Sequence, residues 1–384
     1  MTNFFAEQLP ESVIKQLSLK VKAIGGVNLG QGIPSFPTAP HILRAAKSAL
    51  QEKNIGVYPN FLGTLELREA IVQKLNHQYQ LNLSNQEILI TVGAMEATAT
   101  TILSLIQNDD RVGVITPDYC NHYPQIALAR GRLVEISLDE KDSWQLNLKK
   151  VEVEAKIGLK LLILTNPNNP TGAVFTKEEL KQLITLAQKY GFWILADETY
   201  NFLTYETAST SLLEFYAIAN RLLIVRSFSK EYAMTGWRVG YLIAAKEFIT
   251  LAARTHDALV GCVPKISQSA ALAAISGSQA IVTRYQKILS QRRSNACVYL
   301  DGLNEFLTYV KPQGAYYIFP RFKNRDAFTL CDEMLNRAGV AVVPGDVFGK
   351  AGAKHFRLSF AVEETTLNEG FKRLKKFFKN SVRA

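Results

Sequence analysis

The chain has 384 residues, of which 47% are hydrophobic and 20% are charged, and its formal net charge is +10. These proportions are typical of a globular protein, and this length allows a large core shared between two domains. The basic residues are dispersed except at residues 372–376, so the sequence lacks the basic stripe of a nucleic-acid-binding protein. The excess positive charge instead favours small anionic ligands.

Cysteine and histidine usage excludes several other classes. Four cysteines are scattered without a CxxC pair, and five histidines show no metal-ligand spacing. We therefore expect reduced thiols and no disulfide framework, zinc site or other metal site. The first 17 residues lack the pattern of a secretory signal, and no apolar run is long enough to span a membrane. The sequence predicts a soluble cytoplasmic protein without membrane or nucleic-acid partners.

In chain order, a short helix is followed by a loop that closes at Gly25-Gly26 and by a Gly- and Pro-rich segment at residues 29–37. Strands are predicted at residues 87–92, 111–116, 131–138, 159–164, 192–195 and 222–225. Helices are predicted at residues 64–79 and 93–107, from a capping box at 176–179, and at 246–256 and 264–276. The alternation predicts a mostly parallel sheet that is covered by helices on both faces.

The last hundred residues follow a different pattern. A helical pattern at residues 278–307 leads into short strands and two further helices. The strands are expected at 315–319, 340–343 and 356–360, and the helices at 326–338 and 363–379. Arg357 lies inside the last of these apolar strands, where a buried guanidinium needs a partner such as a carboxylate.

Polar motifs follow three successive predicted strands. The first is NPNNPTG, which presents Asn169; the second is ADETY, with Asp197 and Tyr200; the third is SFSK followed by GWRVGY, with Lys230 and Arg238. In an open parallel sheet the carboxyl ends of the strands face one crevice, where ligands bind. We therefore expect these five side chains to lie close together.

This set of side chains suits pyridoxal phosphate (PLP). A lysine at the end of a buried strand has a lowered pKa and can form a Schiff base with an aldehyde. Considered alone, the motif around Lys230 favours a loop lysine whose amine reaches solvent. PLP also needs an anion for its ring nitrogen, neutral donors for its ring oxygen and an arginine for its phosphate. Asp197, Asn169 with Tyr200, and Arg238 supply these groups.

The ordered motifs NPxNPTG, DExY, SxSK and GWRxGY resemble those of the class I/II aminotransferases, which are fold-type-I PLP enzymes. The resemblance extends over about residues 29–361. It implies an α/β large domain at residues 46–280 with a mostly parallel seven-stranded sheet. A smaller α+β domain, formed by residues 1–45 together with 281–384, would close over the active site. The implied activity is ping-pong amino transfer between an L-amino acid and a 2-oxo acid, in a homodimer with shared active sites.

The resemblance also implies a role for individual residues. Lys230, Asp197 and Tyr200 are the expected catalytic residues: Lys230 bonds the cofactor and then moves the Cα proton, and Asp197 holds the charged ring nitrogen. Asn169 and Tyr200 contact the ring oxygen. The expected phosphate ligands are Ser227, Ser229, Arg238 and the backbone of Gly93, Ala94 and Met95. Tyr119 is expected to stack on the ring, although this aromatic position is fixed only to within one residue.

The expected substrate contacts involve Gly32, Asn169 and Arg357, with Arg357 holding the α-carboxylate. Tyr58 is expected to reach the cofactor phosphate of the partner subunit. Two alternatives to amino transfer remain open at this point, because one fold hosts several chemistries. One is carbon–sulfur β-elimination. The other is a non-catalytic binding protein, which would be expected to have lost Lys230 or Arg357.

The choice of substrate depends on a cation for a second carboxylate. One aspartate aminotransferase branch has a lysine two residues after the glycine that matches Gly93, but this chain has Met95 there, which cannot pair with a carboxylate. The other branch uses an arginine of the partner subunit, and residues 257–267 contain no arginine. We therefore expect neutral donors such as methionine, glutamine or aromatic amino acids. An aspartate-specific enzyme stays open, because Arg254 or Arg321 could enter the pocket.

Overall fold

The structure is a computed structural model that describes residue 9 and residues 11–206, 209–323 and 325–381. The α-helices are α1 (Val13–Ala23), α2 (Pro40–Ala49), α3 (Leu65–Tyr79), α4 (Ala94–Leu105), α5 (His122–Leu128), α6 (Leu148–Gly158), α7 (Lys177–Tyr190), α8 (Phe228–Glu231), α9 (Lys246–Val260), α10 (Lys265–Ser276), α11 (Ala280–Asp301), α12 (Ala327–Ala338) and α13 (Glu364–Ser381). Every helix in these residues is too short or too polar to cross a membrane.

The strands are β1 (Val27–Asn28), β2 (Ile88–Thr91), β3 (Arg111–Thr116), β4 (Arg132–Ser137), β5 (Leu159–Thr165), β6 (Trp193–Asp197), β7 (Leu222–Ser227), β8 (Gly240–Ile243), β9 (Leu307–Thr308), β10 (Tyr317–Ile318), β11 (Arg321–Phe322), β12 (Val340–Ala341), β13 (Val343–Pro344) and β14 (Phe356–Ser359). Seven of them form the central sheet in the order β2-β8-β7-β6-β5-β3-β4. The strand β8 runs antiparallel to both of its neighbours, β2 and β7, and the other neighbouring pairs in this sheet are parallel. The predicted mostly parallel seven-stranded sheet is therefore confirmed.

The central strands are buried on both faces, which explains why they are continuous apolar runs in the sequence. On one face Leu162, Ile194 and Ile224 belong to the core that also contains residues of α3, α7 and α10. On the other face Ile163 and Leu195 pack with residues of α4 and α9. Two layers of helices thus fix the sheet, and with it the positions of the strand ends.

The helix that follows the Asn169 motif begins as predicted. The side chain of Thr176 accepts a hydrogen bond from the amide of Glu179 at 3.2 Å, and the Glu179 carboxylate accepts one from the Thr176 amide at 2.7 Å. A capping contact of this kind stabilises a helix by about 1 kcal/mol. Gly191 ends α7 with φ of +75°, a conformation that glycine adopts without strain.

A second core is formed by the last hundred residues together with the N-terminal segment. It contains Phe356 and Leu358 of β14 and Phe371 of α13, as well as Leu29. The strand predicted at residues 340–343 is divided in two, because β12 pairs with β1 and β13 pairs with β14. The helix predicted at residues 278–307 already ends at Asp301, before Gly302.

Several elements of the large core were not predicted, among them α2, α5, α6 and β8. The helix α2 spans the predicted domain boundary at residues 45/46, and its Ile42 and Ala46 pack in the core of the central sheet. The strand β8 begins at Gly240, where a Cβ would lie 2.7 Å from the carbonyl carbon of Gly93. Glycine therefore permits the close approach of β8 to the start of α4.

Candidate active site

A cavity of about 200 Å³ lies at the carboxyl ends of β3, β5, β6 and β7. Most of the predicted site residues line it: Gly32, Ala94, Met95, Tyr119, Asn169, Asp197, Tyr200, Ser227, Ser229, Lys230, Arg238 and Arg357. Gly93 lies beside it, since a Cβ on this residue would be 2.6 Å from Nη2 of Arg238. Tyr58 does not line the cavity, and its side chain is 90% exposed.

Lys230 lies in the single-turn helix α8, which follows β7. Its Nζ donates a hydrogen bond to the carbonyl oxygen of Gly32 at 2.7 Å. Burial lowers the pKa of Lys230 to about 8, and the positive charges of Arg357 and Arg238 act in the same direction. A larger share of this amine is therefore neutral near pH 7 than for an ordinary lysine, as a nucleophile or a base requires.

Asp197 is the last residue of β6 and is 5% exposed. Its Oδ1 accepts a hydrogen bond from the Thr199 amide at 2.9 Å. Burial raises the pKa of Asp197, whereas His122 and the Thr199 amide oppose that change. The buried Asp197 carboxylate would face a cationic group bound in the cavity, and the resulting ion pair would keep the carboxylate ionised.

One end of the cavity is suited to a phosphate. Gly93 adopts φ of +76° at the start of α4, whose first amides have no acceptor within the helix. Arg238 donates only to carbonyl oxygens, those of Val92 at 3.0 Å and Thr235 at 3.3 Å, and forms no ion pair with any residue that the structure describes. A free helix N-terminus beside an unpaired guanidinium attracts an anion.

Arg357 forms a second anion site in the cavity, one that is suited to a carboxylate. It is 2% exposed, and its Nη groups donate to Oδ1 of Asn169 at 2.9 Å and to the carbonyl oxygen of Gly30 at 2.5 Å. Its Nε is buried without a hydrogen-bond partner, and no described residue forms an ion pair with it. A buried guanidinium with a free donor calls for an anionic ligand.

Aromatic side chains form part of the cavity wall. The hydroxyls of Tyr200 and Tyr317 are 2.8 Å apart, and the Tyr316 hydroxyl donates to the carbonyl oxygen of Gly32 at 3.0 Å. A Cβ on Gly32 would overlap the Tyr317 hydroxyl, so only glycine fits there. Tyr119 is half-buried and meets the His122 ring edge-on, with 5.6 Å between the ring centroids.

Sequence reasoning missed several residues of this region. Tyr317 and Thr165 line the cavity, and Asp118 and His122 are buried directly behind it. Asp118 precedes α5, whose first residue is His122, so the spacing of residues on a helix would not have indicated their contact. Conversely, neither Arg254 nor Arg321 lines the cavity, so neither supplies the extra cation that was considered.

The comparisons with known proteins agree with this geometry. The sequence profile of "Aminotransferase class I and II" matches residues 24–374. A probable aspartate aminotransferase from Methanocaldococcus jannaschii is 34% identical over 358 residues, which are 92% of this chain and 93% of that protein. Aromatic-amino-acid aminotransferase 2 from Thermococcus litoralis is 32% identical over 96% of each chain.

A solved structure shows the same fold. Aspartate aminotransferase from Thermotoga maritima superposes with a TM-score of 0.91 at 30% identity, over 98% of this chain and 100% of the other. The chain therefore belongs to the class I and II aminotransferase family and is a pyridoxal-phosphate-dependent enzyme that moves amino groups between amino acids and 2-oxo acids.

Proposed function

We propose that this aminotransferase takes its amino group from a neutral or aromatic L-amino acid and passes it to a 2-oxo acid. The observation that carries this proposal is the set of cations in the cavity. Among the described residues, only Lys230, Arg238 and Arg357 line it with a positive charge. Each of the three has a task with the cofactor or the α-carboxylate, so none is left for a second carboxylate.

The residues present fit PLP. Gly93 has φ of +76° and lies against the Arg238 guanidinium, which suits a phosphate held close to the backbone, and Asp197 offers a buried carboxylate to the ring nitrogen. We assign the phosphate to Arg238, Ser227 and the first turn of α4, with Ser229 as a further candidate. We assign the ring oxygen to Asn169 and Tyr200, and the ring face to Tyr119. When bound, PLP withdraws electrons from the substrate Cα.

Residues of the chain itself bind the substrate and move its Cα proton. Arg357 binds the α-carboxylate in a dry site, where its free Nε adds a further donor. Lys230, whose pKa is lowered to about 8, would take the Cα proton and deliver it to the aldehyde carbon of PLP, two bonds away across the amino nitrogen. The carbonyl oxygen of Gly32 orients the amine for this transfer through its 2.7 Å hydrogen bond.

Apolar side chains and neutral polar ones such as Gln31 line the cavity where a substrate side chain would extend. Ile14 and Ile33 line it together with the ring of Tyr317. A buried second carboxylate beside these groups would be unpaired, which is strongly unfavourable. A thioether or an aromatic ring would instead remove apolar surface from water. This contrast favours methionine and aromatic donors over aspartate.

Aspartate is the alternative donor, and the names of the relatives from Methanocaldococcus jannaschii and Thermotoga maritima favour it. The test is the ratio of kcat/KM for aspartate to that for methionine and phenylalanine, with one oxo acid held at saturation. The proposal requires a ratio below one. A ratio well above one would show that another group, such as one from a partner subunit, supplies the missing cation. Pyruvate and thiol release from cystathionine measures any β-elimination in the same samples.

We also propose that the active unit is a homodimer in which each Tyr58 reaches the phosphate of the partner's cofactor. The 90% exposure of this tyrosine, next to the exposed side chains of Val57 and Phe61, supports a shared surface. We further propose a large domain at residues 46–280, on which the boundary helix α2 packs, and a small domain of residues 1–45 with 281–384 that closes over the cavity. The free state of Cys120, Cys262, Cys297 and Cys331 supports a cytoplasmic location.

A further inference from the structure

A row of buried polar side chains lies behind Asp197. Asp118 and His122 are both fully buried, and neither lines the cavity. The Thr165 hydroxyl donates to Oδ1 of Asp118 at 2.5 Å, and Nδ1 of His122 lies 2.7 Å from Oδ2 of the same carboxylate. On the other side of the imidazole, Nε2 lies 3.9 Å from Oδ2 of Asp197. The imidazole thus stands between two buried carboxylates.

The contacts of the imidazole indicate where its protons are. Nδ1 must carry a proton, because the oxygen that it contacts already belongs to an acceptor carboxylate. Nε2 has no hydrogen-bond partner among the described residues and faces Asp197. If Nε2 were unprotonated, its lone pair would face a carboxylate; if it is protonated, the imidazolium is attracted by both carboxylates. The second arrangement is the stable one.

Other ionisable groups near the imidazole do not change this balance. Tyr119 meets its ring edge-on, and the Tyr123 hydroxyl donates to the carbonyl oxygen of Phe348 at 2.7 Å. Burial raises the pKa of both phenols, so both stay uncharged at working pH. Burial lowers the pKa of His122, but Asp118 and Asp197 more than offset this, and the net pKa is raised. The imidazolium therefore persists to higher pH than an ordinary histidine.

We propose that Asp118 is a positioning residue that keeps His122 an imidazolium beside Asp197, and so keeps the shared proton on the cofactor's ring nitrogen. This inference rests on the proposed role of Asp197. A cation close to Asp197 makes this carboxylate a weaker base, so it competes less well for the ring proton. Without Asp118 the imidazole loses its charge, Asp197 becomes more basic, and the ring nitrogen becomes a weaker electron sink.

The first measurement uses the cofactor-free protein, with 15N-labelled histidine observed by NMR across pH. Asp118→Asn removes the charge but keeps a hydrogen-bonding side chain of similar size. Tyr123→Phe is the control, because it removes a partly buried hydrogen bond from the helix that carries His122 without changing a charge. His122→Gln identifies the signal. We expect the His122 imidazolium to deprotonate at least one pH unit lower in Asp118→Asn than in wild type and Tyr123→Phe.

The second measurement uses the holoenzyme loaded with 15N-labelled PLP. The ring nitrogen should be protonated at pH 8 in wild type and in Tyr123→Phe, and less protonated in Asp118→Asn. If the basicity of the ring nitrogen relative to Asp197 falls by one pH unit, the partition of the proton between them changes by about tenfold, and kcat should fall by about tenfold. If Asp118→Asn does not fold, His122→Gln removes the cation directly and must give the same change at the ring nitrogen.

The results separate the two proposals. An unchanged His122 titration in Asp118→Asn overturns the inference, as does an imidazole that is neutral at pH 7 in wild type. Ring protonation that is unchanged in Asp118→Asn but lost in Asp197→Asn overturns the inference alone. No change at the ring nitrogen in either variant overturns the proposed role of Asp197 as well.

Discussion

Arg357 donates a hydrogen bond from Nη1 to Oδ1 of Asn169 at 2.9 Å, so the proposed substrate ligand directly contacts a proposed cofactor ligand. Both side chains are buried, and they come from elements far apart in the sequence, Arg357 from β14 and Asn169 from the loop after β5. A carboxylate that binds Arg357 would therefore affect the cofactor ring through the single side chain of Asn169.

Replacing Arg357 with Met should raise KM for amino and oxo acids by about a hundredfold, since a buried charge contact with a ligand is worth several kcal/mol. The measurement is single-turnover kinetics with methionine. A simple alkylamine, which has no carboxylate, is the control substrate, and its slower rate should be nearly the same in both proteins. An equal loss with both substrates would indicate that Arg357 supports the fold and does not recognise the carboxylate.

The lowered pKa of Lys230 predicts a pH profile. The neutral amine reacts with the cofactor aldehyde, so the rate of cofactor capture by the cofactor-free protein should rise as pH increases through about 8 and then level off. For an unperturbed lysine the rise would continue toward pH 10. Stopped-flow absorbance measures this rate. A profile that is still rising steeply above pH 9 would contradict the lowered pKa.

Replacing Asp197 with Ala should impair chemistry more than cofactor retention. The carboxylate acts on charge that develops during the reaction, and removing such a group costs about 10²–10³ in kcat. The phosphate contacts at Arg238 and the start of α4 would remain. Cofactor occupancy measured by absorbance, compared with kcat, checks this prediction. A fully loaded variant with an unchanged turnover number would refute the role assigned to Asp197.

The proposed dimer predicts an effect of Tyr58 on a site that it does not line in its own chain. Tyr58→Phe removes only the hydroxyl and should weaken cofactor affinity by about tenfold, the effect of one lost hydrogen bond to a charged group. Equilibrium dialysis measures the affinity. Tyr309→Phe is the control, because it also removes only a tyrosine hydroxyl, at a residue far from Tyr58 in the sequence. Light scattering that shows a fully active monomer would exclude the shared site.

Local signals in the sequence predicted six of the seven strands of the central sheet and the polar motifs that follow three of them. Apolar runs mark strands such as β5, and the polar motifs after them carry Asn169 and Asp197. The elements that were missed depend on distant partners. β8 is a strand because it pairs with β2 and β7, and β12 is separate from β13 because β1 pairs with it. His122 could not be recognised as a site residue because its role depends on the nearby carboxylate of Asp197, which is 75 residues further along the chain.

The measurement that tests this account most directly is the location of the bound cofactor. Borohydride reduction of the purified enzyme, followed by proteolysis and mass spectrometry, should find the pyridoxyl mass on the peptide that contains Lys230. Lys230→Ala should lack the adduct and should not transfer amino groups from methionine. An adduct on another lysine, or an active wild-type enzyme without an adduct at Lys230, would contradict the account.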